Sequence, residues 1–173
     1  PLEQKHMIEA SVIQPPQDVI HAEEGIYRSL ELAPKRLLAD VAQVQLDAFL
    51  ASGASLSFAE HDRPQISILL ILFNRAELTL SCLRSLFAEK DISYEVVIVD
   101  NASTDSTSRL LSRIHGIKAL HNRENKHFLR GVNQAAEAAR GKHLLILNND
   151  TELFPGTLNA ALTTLESAPN IGA

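Results

Sequence analysis

An α/β fold, with a mainly parallel sheet covered by helices on both faces, is predicted for residues 64–173 by three observations. Residues 66–73 (ISILLILF) are continuously apolar, as a strand buried on both faces is, and 94–99 (YEVVIV) read as a second strand. Apolar residues between such runs recur at helical spacing. The alternation occurs four times, and successive strand–helix units assemble as a parallel, doubly covered sheet.

Residues 1–63 read differently. Pro15-Pro16 interrupts any early helix. From Pro34 to about residue 50 the pattern is helical, with Leu37, Leu38, Val41 and Phe49, and Pro34 suits a first turn. Gly53 with Ser52, Ser55 and Ser57 reads as a break. A helical or linker segment is therefore expected over 1–63, with a domain boundary at 63/64. His6, His21 and His61 show no ligand spacing.

After Pro64 the first strand is followed by a helix over 76–87, with Ala76, Leu80, Leu83 and Phe87 on one face. The second strand ends in Asp100. Thr107, Leu110, Leu111 and Ile114 then predict a helix, with Ser103 or Thr104 as its cap. Residues 117–121 form a weaker strand. Val132, Ala135, Ala136 and Ala139 mark the next helix, and Gly141 fits the position beyond its end. Residues 143–147 make the fourth strand. Pro155 opens a last helix with Leu158, Ala161, Leu162 and Leu165 inward.

Composition narrows the function. Hydrophobic residues make up 45% and charged residues 21% of the 173, the balance of a soluble globular protein. A net charge of -5 argues against nonspecific binding to nucleic acid or anionic membrane. Cys82 is the sole cysteine, so an internal disulfide and a Cys-based zinc site are excluded, and a reducing, cytoplasmic setting is expected. No run approaches a membrane span, although peripheral contact with the inner face of a membrane is compatible with the sequence. The chain opens on Pro1 rather than Met and is expected to be a processed chain or an excised piece.

In parallel sheets ligands bind beyond the carboxyl ends of the strands. Three of those ends are chemically rich here: Asn74, Asp100-Asn101 and Asn148-Asn149-Asp150. The last is the most informative, because an apolar run stopping in two amides and a carboxylate delivers hard oxygens suited to a divalent cation and its phosphates. The turn after the first strand, Asn74-Arg75-Ala76-Glu77, has no glycine, which excludes the dinucleotide fingerprint. Gly141-Lys142 precedes a strand, so no Walker loop is present. A site lacking a backbone phosphate cradle is expected to lean on a metal.

Three blocks carry a resemblance: QISILLILFNRAELTLSCLRSL, YEVVIVDNASTDST and NRENKHFLRGVNQAAEAARGKHLLILNNDTELFPGTL. In this order, residues 65–173 resemble the N-terminal half of a family 2 glycosyltransferase with the GT-A fold. The resemblance implies that Phe73, Asn74 and Asp100 hold the base and ribose of a nucleotide-diphospho-sugar. It maps the family's DxD motif onto Asn148-Asn149-Asp150. Asp150 then binds Mn²⁺ or Mg²⁺ and Asn148 faces the ribose, with Asn149 beside them in the nucleotide site. Asn148 replaces the first acid; an amide still hydrogen-bonds a hydroxyl but lowers the charge facing the metal. His127 and Arg130 stand where many relatives have small residues, within reach of a phosphate or base; both also read as solvated loop residues.

The resemblance further implies hexosyl-type transfer to a glycan or lipid-linked acceptor in polysaccharide synthesis. The catalytic base is unknown here and is expected beyond Ala173, so the chain alone is expected to bind donor weakly and transfer little sugar. Two alternatives stay open: a nucleotidyltransferase-like domain, and a degenerate nucleotide-binding or scaffold module that no longer catalyses.

Overall fold

The computed structural model describes residues 37–168. Pro15-Pro16, Pro34, His6 and His21 lie outside the described residues. Of the described residues, those from Ala39 onward cluster as one compact unit.

Its centre is a four-stranded, wholly parallel sheet in the order β5-β3-β2-β6, formed by β2 (Ile66–Leu72), β3 (Tyr94–Asp100), β5 (Lys118–His121) and β6 (His143–Leu147). β2 pairs with β3 from Ile66↔Tyr94 to Leu72↔Asp100 and with β6 from Ile66↔His143. The two central strands are covered on both sides, as the long apolar run of β2 predicts. Ile66, Ile68, Leu70 and Leu72 enter one buried cluster with α2 (Ala76–Ala88), α3 (Thr107–Leu111) and α5 (Thr157–Glu166). Leu69, Val97 and Val99 enter a second cluster with Ala135 of α4 (His127–Ala138). Alternate side chains thus feed alternate faces, the period-2 rule of a strand.

Several elements differ from the sequence reading. The break expected after residue 63 lies inside the compact unit. Helix α1, residues 37–52, places Leu46, Phe49 and Leu50 in the same core as β2, and Phe58 follows them. The Phe58 ring meets Phe87 edge-on at 5.6 Å and Tyr94 at 6.3 Å. Val41 faces out, because the buried face of α1 runs through Ala42 and Leu46 instead. Ile114 is buried, but from a two-residue strand, β4 (Ile114–His115), that pairs with β1 (Leu56–Ser57) rather than from α3. Ala161 is exposed; α5 buries Leu158 and Leu162. Gly141 is not a left-handed helix terminator. A Cβ there would lie 2.5 Å from the Ser67 backbone nitrogen, so close approach to β2 explains the glycine.

Candidate functional site

Because β2, β3, β5 and β6 run parallel, their carboxyl ends open on one rim. β2 delivers Phe73, 52% exposed, then Asn74 and Arg75, both left-handed at φ 63°. Asn tolerates this conformation better than most L-residues. The two-residue kink replaces the glycine turn and is held from the neighbouring loop. The Asn74 N–H donates to Ser103 Oγ (2.8 Å), and Asn74 Oδ1 accepts from the Thr104 N–H (2.8 Å). Ser103 and Thr104 are therefore occupied by β2's loop and do not cap α3, whose N-cap is Ser106. Asp105 serves both helices: it accepts from the Ala76 N–H (2.9 Å) and from the Thr107 N–H and hydroxyl (2.9 and 2.6 Å). Burial alone raises the Asp105 carboxyl, but the bonds from Thr107 and Ala76 outweigh it and hold the group below the usual carboxylate range.

β3 ends in Asp100, which is buried. Its Oδ1 accepts from the Ser103 N–H (3.0 Å), and its Oδ2 lies 3.4 Å from His121 Nδ1. His121 closes β5 and is absent from the residues singled out by sequence; the available signal was a polar residue at a third strand end. Asn101 is buried and spans inward, its Nδ2 donating to the His127 carbonyl (3.3 Å) and its Oδ1 accepting from Asn122 (2.8 Å). His127 is exposed and left-handed at φ 63°, its N–H donating to Asn125 Oδ1. Arg130 is exposed in the first turn of α4.

β6 ends in Asn148 and Asp150, both exposed, with Asn149 half-buried between them. Asn149 turns back: its Nδ2 donates to Thr79 Oγ1 (2.9 Å) and to the Asn74 carbonyl (3.4 Å). Behind the turn sits Cys82, whose thiol is pushed up to about 12 by burial first, then by the Asp150 and Glu152 charges. Among the described residues no three His, Cys, Asp or Glu side chains cluster as a ready metal site. Asp150 and Asn148 offer hard oxygens facing solvent, a donor set that fits Mg²⁺ or Mn²⁺ when a ligand's phosphates complete the shell.

The rim brings Asn74, Asp100, His127 and Asn148-Asn149-Asp150 to one edge. It is also where the backbone is strained: Asn74, Arg75, Ala102 and His127 all have positive φ without being glycine. Such outliers concentrate at functional sites. Phe73 adds an exposed ring to the rim, and Phe128 in the first turn of α4 is likewise exposed. A cleft of about 340 Å³ lies instead near the amino ends of β3 and β5, lined by His61, Glu95, Lys118 and Arg140 among others. Three of its charged groups are engaged within the fold: Glu95 binds Ser67 and Arg140, and Lys118 binds the Ala138 carbonyl. We place the site at the strand-end rim for that reason.

The family profile described as glycosyl transferase family 2 matches residues 67–173. An uncharacterized protein of Mycobacterium tuberculosis, MT1568, is 28% identical over 112 residues, covering 64% of this chain and 35% of the relative. The succinoglycan biosynthesis protein ExoO of Rhizobium meliloti is 24% identical over 107 residues, covering 61% and 31%. The chain thus spans about a third of the length of these relatives. Among solved structures, the mannosyltransferase PcManGT of Pyrobaculum calidifontis, in complex with GDP-Man and Mn²⁺, superimposes with a TM-score of 0.58. It is 22% identical and covers 78% of this chain and 46% of that one, a likeness in fold.

Proposed function

The chain belongs to glycosyl transferase family 2, and from that premise we propose that its GT-A sheet is the donor-binding part of an enzyme moving a hexosyl-type sugar from a nucleotide-diphospho-sugar. One observation carries the reading. An unbroken path of hydrogen bonds joins three strand ends, from Asp100 to Ser103, Ser103 to Asn74, and Asn74 to Asn149. The edge that gathers base-binding and phosphate-binding chemistry is therefore one preorganised unit.

On the nucleoside side, the exposed Phe73 ring offers a stacking face. Asp100 accepts from the base or ribose, with His121 at its flank, and His127 borders the same space. On the diphosphate side, Asn148 faces the ribose and Asp150 holds Mn²⁺ or Mg²⁺. When bound, the cation neutralises charge on the leaving nucleoside diphosphate. The chain's own part is to aim a single carboxylate and an amide oxygen at that place, so metal affinity depends on the nucleotide. The printed ligands of the mannosyltransferase neighbour, GDP-Man and Mn²⁺, support this class of donor. ExoO's role in succinoglycan biosynthesis supports a glycan or lipid-linked acceptor in polysaccharide synthesis. No helix among the described residues is long and apolar enough to cross a membrane; a cytoplasmic setting belongs to the proposal.

Calorimetry with UDP, GDP and dTDP, each with and without Mn²⁺, tests the reading. Expected is binding of at least one nucleotide that strengthens with Mn²⁺, the metal-dependent gain being lost in Asp150→Ala. Absence of binding to all three overturns it and favours a scaffold module.

A further inference from the structure

Helix α2 carries a polar stripe that its packing on the sheet does not call for. Thr79, Cys82 and Ser85 follow one another at spacings of three, which places them on one helix face, and Glu89 stands just past the helix end as its extended C-cap. All four are spent on a single later segment, the one that leaves β6. Thr79 Oγ1 accepts from Asn149 Nδ2 (2.9 Å), and Cys82 Sγ lies 3.8 Å from the Asn148 carbonyl. Ser85 Oγ accepts from the Leu153 N–H (3.0 Å). Glu89 accepts from the Gly156 N–H (2.8 Å) and the Leu158 N–H (3.4 Å). Thr79, Cys82 and Glu89 are buried. The stripe thus templates the chain from the strand-end amides to the start of α5.

The top rung bears on function. Thr79 is satisfied twice, accepting from Asn149 and donating to the Arg75 carbonyl (3.1 Å). Asn149 in turn reaches the Asn74 carbonyl, so one hydroxyl and one amide join the loop after β6 to the strained kink after β2. Asp150 is exposed, and none of the ion pairs among the described residues includes it. Its direction is set by the backbone of the turn and by what holds that turn.

We propose that Thr79 and Asn149 form a positioning pair that aims the Asp150 carboxylate at the metal-bridged diphosphate. This rests on the donor-site reading above. Neither residue needs to touch the metal: an outer partner that fixes a ligand's orientation changes metal affinity without joining the coordination shell.

The test compares the 173-residue chain with Thr79→Val, which keeps the volume and removes the hydroxyl, and Thr79→Ser, which keeps the hydroxyl. Nucleotide affinity is measured by calorimetry with and without Mn²⁺, alongside the melting temperature. Thr79→Val is expected to lose about tenfold of the Mn²⁺-dependent gain, the lower end for outer-shell substitutions. Its metal-free affinity is expected to stay at the wild-type value, and Thr79→Ser to retain the gain. A merely structural role moves both affinities together. If Thr79→Val does not fold, Thr79→Ala removes the same hydroxyl without adding bulk and is read by the same split. A wild-type chain that shows the Mn²⁺ gain while the variant keeps it overturns the positioning role and leaves the donor reading standing. A wild-type chain with no Mn²⁺ gain for any nucleotide overturns both.

Discussion

Ser67 on β2 donates its hydroxyl to the Glu95 carboxylate on β3 at 2.6 Å, in a buried pair that also holds the turn before β6. The same hydroxyl accepts from the Gly141 N–H (2.7 Å). Glu95 accepts from the Arg140 backbone N–H and, at 3.0 Å, from its Nε. Two strands and the turn before a third are tied by one carboxylate at the end of the sheet opposite the candidate site. A buried carboxylate is tolerable only when it is so satisfied.

Acid sensitivity follows from this carboxylate. Burial raises it, but hydrogen bonds from Ser67 and Arg140 together with the Arg140 charge outweigh burial, so its folded value lies below the ordinary one. A group depressed in the folded state contributes stability that is present above the unfolded value and lost as pH falls through the folded one. Urea unfolding across the acid range is expected to show that loss. Glu95→Gln should cost about 1–3 kcal/mol at neutral pH and flatten the acid limb.

Gly141→Ala is expected to destabilise through the same junction. The added Cβ would sit 2.5 Å from the Ser67 nitrogen and 2.6 Å from its Oγ, with backbone on one side and the network on the other. Overpacking of this kind costs about 1–3 kcal/mol. Thermal unfolding checks it, with Gly53→Ala, whose Cβ would meet only Arg113 at 3.9 Å, as a comparison that reports the left-handed backbone cost alone.

Ala102→Gly is expected to stabilise. Ala102 holds φ 62° with no side-chain amide to offset the strain. Relieving the Cβ clash, less the greater freedom of Gly in the unfolded chain, leaves a gain of about 0.5–1 kcal/mol. A higher denaturant midpoint with an unchanged m-value is the expected signature.

Cys82 is expected to resist alkylation in the folded chain. The thiol is fully buried and pushed up to about 12, mainly by burial and then by Asp150 and Glu152. Thiolate is the reactive form, so modification should await opening of the fold. Reaction rates measured against rising urea should follow the unfolding transition; fast labelling in native buffer contradicts the buried placement.

Much of the fold was legible because periodicity is a local property. ISILLIL announces a strand covered on both faces, YEVVIV a second strand, and Leu80, Leu83 and Leu110 helices facing them. What escaped were matters of partnership. Ser103 and Thr104 read as helix caps, yet they hold Asn74, which lies about thirty positions earlier. Phe58 read as linker, yet it packs on Phe87 and Tyr94. His121 carried no signal stronger than its place at a strand end.

The sequence by itself determined the four strands of the main sheet and the helices between them, and that acids and amides stand at the ends of β2, β3 and β6. Tertiary structure alone decided what those groups face. The order β5-β3-β2-β6 sets β2 between β3 and β6, so Asn74 meets Ser103 on one side and Asn149 on the other. Asn149 is thereby turned toward Thr79, while Asp150, one position on, is left open to solvent. The reason is physical: hydrophobic period encodes the face of each element along the chain, whereas hydrogen-bond partners across strands depend on loop closure between distant segments, which no local pattern records.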